Sequence, residues 1–178
     1  MLALIVAIDQ GRETRLHNRL SVRPALESVE TQSIAYEDFV GLTISNKGVG
    51  PATLEPFQIY LDGMLVNGEL ENDRYGGWQT VLDRLCDGEN GIKELCVSLD
   101  SPVRVSGIRV YVIRGQDVWS AGESRQVFGV AETEHTVERE EAVNAALKRL
   151  QVAVCYKSTY EERFGHDGGV SSEKIGCQ

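Results

Sequence analysis

The stretch EDFVGLTISNKGVGPATLEPFQIYLDG, residues Glu37 to Gly63, decides how the chain is read. From Glu37 to Asn46 apolar and polar residues alternate, with Val40, Leu42 and Ile44 inward and Thr43 and Ser45 outward. A period of two marks a half-buried strand, because successive side chains leave opposite faces of the backbone. Asn46-Lys47-Gly48-Val49-Gly50-Pro51-Ala52 interrupts it. Gly48 and Gly50 allow positive φ and Pro51 fixes φ, so the chain reverses or changes sheet here. Leu54 to Leu61 resumes as a strand, with Phe57, Ile59 and Leu61 on one face. Asp62-Gly63 is a two-residue hairpin signal leading into Met64-Leu65-Val66.

The same rhythm extends in both directions. Leu20, Val22, Pro24 and Leu26 alternate with Ser21 and Arg23, which reads as a strand, and Pro24 confines it to an edge. Val103–Val105, Ile108–Arg114, a run through Gln126, Phe128 and Val130, and Leu150–Tyr156 complete the strand set. Two segments change period. Trp78, Val81, Leu82 and Leu85 stand at helical spacing, predicting a helix over about 73–86, capped by Asn72 or Asp73 and followed by Gly88. Val143, Ala146, Leu147 and Leu150 form the stripe of a second helix, about 137–149, with Thr136 as its cap, early glutamates and late Lys148 and Arg149. The fold class expected is mainly β: an immunoglobulin-like antiparallel β-sandwich of about seven to eight strands with two short helices.

The charge is uneven. The chain carries −9 overall, but residues 1–25 hold Arg12, Arg15, Arg19 and Arg23 against Asp9 and Glu13, a balance of +2 that leaves −11 for the remainder. An acidic body repels phosphate backbones, so nucleic acid is not an expected partner. None of Cys86, Cys96, Cys155 and Cys177 forms a C-x-x-C pair, and 178 residues can bury a core without cross-links. Free thiols in a reducing compartment are expected.

Met1 to Ile8 reads MLALIVAI, eight apolar residues followed at once by DQGRETR. A spanning helix needs about 20 residues, and the flanks do not suit a secretory signal. Two readings stay open: an apolar first element packed on the body, or the end of a membrane helix that starts before Met1. In the second, Arg12, Arg15, Arg19 and Arg23 would lie at the membrane and hold the body on its cytoplasmic face, where they could touch anionic headgroups. The domain division expected is 1–18 as an apolar and basic stub, 19–164 as the sandwich and 165–178 as a loose tail.

Ile44-Ser45-Asn46-Lys47-Gly48-Val49-Gly50-Pro51-Ala52, then Ile59-Tyr60-Leu61-Asp62-Gly63, resembles bacterial immunoglobulin-like modules of the adhesion-related type. Those carry an Asn-x-Gly turn and then a strand ending in Asp-Gly; Gly122-Glu123-Ser124 matches a later feature of theirs. His17-Asn18-Arg19-Leu20-Ser21-Val22-Arg23-Pro24 after an apolar segment looks like a group of uncharacterised bacterial proteins with one N-terminal membrane helix and a small β domain. The likeness covers about two thirds of the chain and consists of turn chemistry, so it implies a fold and no activity. The chain departs from the group in the shortness of its apolar segment.

Residue types that carry chemistry are present without their usual spacings. His17, His135 and His166 form no H-x-H or H-x-x-x-H pair, so no metal is expected. Cys155 and His166 could meet only if the tail folds back; a strand cysteine and a solvated histidine are expected instead. Ser124 lacks a nucleophile elbow. Asp62, Asn67, Glu69, Glu71, Asn72 and Asp73 lack the calcium-loop register, and Glu161-Glu162 has no partner carboxylate at a defined spacing. Trp78 falls on a helix stripe and reads as core; Trp119, beside the Ala121-Gly122 turn, reads as the better ligand-stacking residue.

These observations favour a non-catalytic binding or structural module without a cofactor, whose partner is another protein or a small ligand. The recognition residues expected are Trp119 with Asn46 and Lys47 from the Lys47–Thr53 region, and Asp62, Asn67, Arg74 and Tyr75 from the Gly63–Gly77 region. The alternatives are a hydrolase or transferase assembled from scattered residues, and a regulatory subunit pairing through the Leu20–Leu26 edge.

Overall fold

A computed structural model describes residues 2–31, 39–55, 57–66, 77–87, 92, 108–112, 116–131, 136–168 and 177. The chain is mainly β: the described residues form two antiparallel sheets and three helices, an arrangement consistent with a β-sandwich. The four-stranded sheet runs β1 (Leu26–Thr31), β2 (Phe39–Asn46), β8 (Ser124–Ala131), β6 (Ile108–Val110). The six-stranded sheet contains β5 (Met64–Leu65), β4 (Gln58–Leu61), β9 (Leu150–Lys157), β3 (Ala52–Leu54) and β7 (Val118–Trp119), with β10 (Arg163–Gly168) on the other side of β9. The described residues hold ten strands against the seven to eight expected, because β5 and β7 are two-residue segments that no period can mark; the expected strand at Val103–Val105 lies outside the described residues.

The core forms where the alternation put it. Val40, Leu42 and Ile44 of β2 and Ile59 and Leu61 of β4 are buried, and Val152, Val154 and Tyr156 join them from β9. Helix α2 (Trp78–Cys86) buries Trp78, Val81, Leu82 and Leu85 as its spacing requires. Trp78 stacks on Phe128 at 5.4 Å, and its indole N–H donates to the Tyr111 carbonyl at 3.2 Å. Its N-cap is Gly77 with φ 89°, not a side chain from Asn72 or Asp73, which lie outside the described residues. Helix α3 (Val137–Leu147) links the two sheets and buries Ala142, Val143, Ala146 and Leu147. The Thr136 hydroxyl accepts from the Arg139 amide at 3.2 Å, which is the expected cap.

Along β8 the alternation breaks: Val127 and Phe128 are both buried. Leu42 pairs Phe128 but Thr43 pairs Gln126, so Val127 is an extra residue in a bulge. A bulge turns two successive side chains inward.

Four expectations are corrected. Leu20–Leu26 is not an edge strand. Helix α1 runs Leu2–Leu20, and the strand begins only at Leu26. Residues 22–26 do alternate in burial, but they pair with a loop: Val49 N–H donates to the Arg23 carbonyl and Lys47 N–H to the Ala25 carbonyl. The 18/19 boundary therefore falls inside α1, and the 164/165 boundary falls inside β10. The region after 165 is not wholly loose, because β10 pairs with β9 through Gly168 and Cys177 is bonded to Cys155. Nor are the thiols free, since Cys86 is also disulfide-bonded.

Candidate functional site

The body has two ends, set by the direction of β9. Lys157 closes one end and Leu150 the other, about 23 Å apart for a strand of this length. Helix α1 meets the Lys157 end. Arg19 lies 3.9 Å from Glu162 and 5.7 Å from the centre of the Tyr160 ring. Arg23 sits 4.7 Å over Phe164, which stacks on Tyr156, whose hydroxyl accepts from Leu26 N–H at 3.3 Å. Beyond this clasp α1 touches little: its side chains from Ile5 to Leu20 are exposed, Ile5 at 57%. The arginines thus divide. Arg19 and Arg23 fasten the helix, while Arg12 and Arg15 face solvent. No helix among the described residues is long and apolar enough to cross a membrane.

Asn46 is at the same end and is fully buried. Its side-chain oxygen accepts from Ala25 N–H at 3.2 Å and Gly48 N–H at 3.1 Å. Its amide donates to the carbonyls of Gly50, Trp119 and Ser120 at 2.9 to 3.2 Å. Every valence is used inside the protein, so Asn46 is a fastener and not a recognition residue. Gly48 and Gly50 serve the same purpose. A Cβ on Gly50 would overlap the Val22 carbonyl, and one on Gly48 the Ala25 amide. Close approach, not positive φ, requires glycine at both.

Trp119 is not a stacking platform. It is 1% exposed and meets Tyr111 edge-on at 6.3 Å.

At the far end, Asp62 and Gly63 have φ of 51° and 77°, the positive values a two-residue hairpin needs. Arg149 grips Asp62 with two nitrogens: Nε donates at 3.0 Å to Oδ1 and Nη2 at 2.7 Å to Oδ2. The hydrogen bonds from Arg149 hold the Asp62 carboxyl below its usual range, and the same bonds raise Arg149. Next to this pair, Met64 and Leu65 are exposed at 61% and 43%. Asn67, Arg74 and Tyr75 lie outside the described residues.

Of the expected recognition residues, Asp62 lines a hollow of about 330 Å³ with Ile92, Ala145 and Arg149, and Lys47 lines a larger one. A groove of about 560 Å³ along the four-stranded sheet is bounded by Val29, Thr43, Ser45, Lys47, Tyr111, Ser124, Arg125 and Gln126. Sequence reasoning missed most of these. Thr43 and Ser45 were legible as outward, but their alignment with Gln126 and Ser124 depends on a β2–β8 pairing across 79 residues.

The catalytic pairings dissolve. Cys155 is in a disulfide and offers no thiolate to His166. Glu161 pairs with Lys157 and Glu162 with Arg19. Among the described residues no three His, Cys, Asp or Glu side chains converge as for a metal. No known family model, curated protein or solved structure matches the chain.

Proposed function

We propose that this chain is a non-catalytic, immunoglobulin-like β-sandwich module, held at a membrane by the apolar tip of α1 and recognising another protein through its far end. The observation that carries this reading is α1 itself. One continuous helix joins an exposed apolar segment containing Ile5, Val6 and Ile8 to a clasp on the body. A tip packed on the body would have been covered. An uncovered apolar tip flanked by Arg12 and Arg15 suits the boundary between acyl chains and headgroups. The far end is favoured for recognition because the Lys47–Thr53 region is bound to the link after α1, whereas Met64 and Leu65 are open.

The cysteines bear on the compartment. Disulfides at Cys155–Cys177 and at Cys86 favour an oxidising side of the membrane over the cytoplasmic face that four arginines suggested. Two of those arginines are engaged with the body, which weakens the topological argument drawn from them.

Co-sedimentation with lipid vesicles tests the tether. The protein is expected to pellet with vesicles, and Ile5→Asp/Ile8→Asp to remain in the supernatant. Arg12→Gln/Arg15→Gln is expected to lose affinity for anionic vesicles and keep it for neutral ones. Wild-type protein that stays in the supernatant with both would sink the proposal.

A further inference from the structure

The groove along the four-stranded sheet has a composition at odds with the rest of the protein. Asp and Glu outnumber Lys and Arg by 27 to 18 in the chain, yet the eight lining residues include Lys47 and Arg125 and no acid. Arg125 shares its charge with Glu123, and Lys47 adds a second cation, so the hollow with its neighbouring acid keeps a net positive charge that favours an anion.

The donors are arranged and partly unused. Arg125 is positioned by Glu123, which bonds Nη2 through Oε1 while its Oε2 accepts from Ser120 N–H at 2.9 Å. The guanidinium also lies 5.8 Å from the centre of the Tyr111 ring. Nη2 is thereby fixed, and the fork carries further N–H donors on Nε and Nη1. Lys47 is exposed and makes no ion pair among the described residues. Between them Ser45 Oγ and Ser124 Oγ lie 2.7 Å apart. Two hydroxyls have two protons and use one in their mutual bond, so the second is left to donate to an acceptor. Thr43 and Gln126 add donors on the adjacent rungs, and Val29 with the Tyr111 ring supplies apolar wall.

We propose that this groove binds a small anionic saccharide, an oxyanion carried on a polyhydroxyl body. Lys47 and Arg125 take the carboxylate or phosphate, and Ser45, Ser124, Thr43 and Gln126 take hydroxyls. A volume of about 560 Å³ is in the range of small-molecule sites and is far larger than a bare ion fills. The site does not depend on attachment to a membrane.

Titration followed by amide NMR on the full chain tests this, with glucuronate, glucose 6-phosphate, glucose and inorganic phosphate as probes at low salt. Either anionic sugar is expected to move the amide signals of Ser45, Ser124 and Tyr111, saturating at about millimolar concentration. Glucose and inorganic phosphate are each expected to bind at least about tenfold more weakly. Lys47→Glu, at an exposed position that leaves the melting curve unchanged, is expected to abolish the response, and Arg125→Gln to weaken it. The inference is overturned by silence of the groove toward both anionic sugars, by equal binding of glucose or of bare phosphate, or by a response that survives Lys47→Glu.

Discussion

The two turns that bracket β3 and β4 carry similar residues and have opposite fates. Asn46–Pro51 and Asp62–Gly63 both pair Asn or Asp with glycine after an alternating strand. The first is drawn into the protein: Asn46 ties three chain segments together, and Gly48 and Gly50 press against the link from α1. The second remains at the surface, held by one ion pair to Arg149 and using glycine for its positive φ. Turn chemistry therefore specifies where a chain reverses, and not whether the reversal is available to a partner.

The largest expected effect tests this contrast directly. Asn46→Ala removes the partner of the part-buried Ala25 and Gly48 amides and of three carbonyls, two of them buried, and it is expected to cost about 3–4 kcal/mol in urea unfolding. A loss no greater than that of Asp62→Asn would break the comparison. Next, Cys155→Ala/Cys177→Ala opens a 22-residue loop, and a loss of about 2–3 kcal/mol is expected. Because β10 carries Phe164, on which Arg23 rests, the same double variant is expected to loosen α1, read as faster proteolysis after Arg15 or Arg19.

The smallest effect lies at the exposed turn. Asp62→Asn is expected to cost only about 0.5 kcal/mol at neutral pH, since both partners of the pair are partly solvated. Its sign with pH is definite. The folded-state pKa of Asp62 is depressed, so the contribution is present above the unfolded value and disappears as pH falls through the folded one. Wild type and Asp62→Asn are therefore expected to differ at pH 7 and to converge in acid. A gap that persists below about pH 2 would assign the effect to turn geometry in place of charge.

What was legible followed from local periodicity. Trp78, Val81, Leu82 and Leu85 could share a face only on a helix, and Val40, Leu42 and Ile44 only on a strand, so the core was visible residue by residue. The misreadings share one cause: structure decided by partners distant in sequence. Residues 22–26 alternate in burial because they pair with the loop at 47–50 and not with a strand. Arg163–Gly168 lacks an apolar rhythm and is a strand only because β9 offers it an edge. Trp119 lies in a two-residue strand paired with Ala52, and its ring meets Tyr111, which is eight residues away in sequence and directly follows β6 of the other sheet. The groove was the least legible feature, since its two cations come from the end of β2 and the start of β8.

The covalent tie between β9 and Cys177 has a consequence for assembly. An outer strand joined to its neighbour by a short connection is the usual element for exchange between identical chains, because it can peel away and re-pair in another copy. Here the ladder partner of β10 continues directly into it through residues 158–162, and the chain returns to the same partner at Cys155. With both ends anchored to one strand, swapping of β10 requires the sulfur bond to open first. Intertwined dimers formed through this strand are thus confined to reducing conditions, while oxidised protein keeps the strand in its own copy.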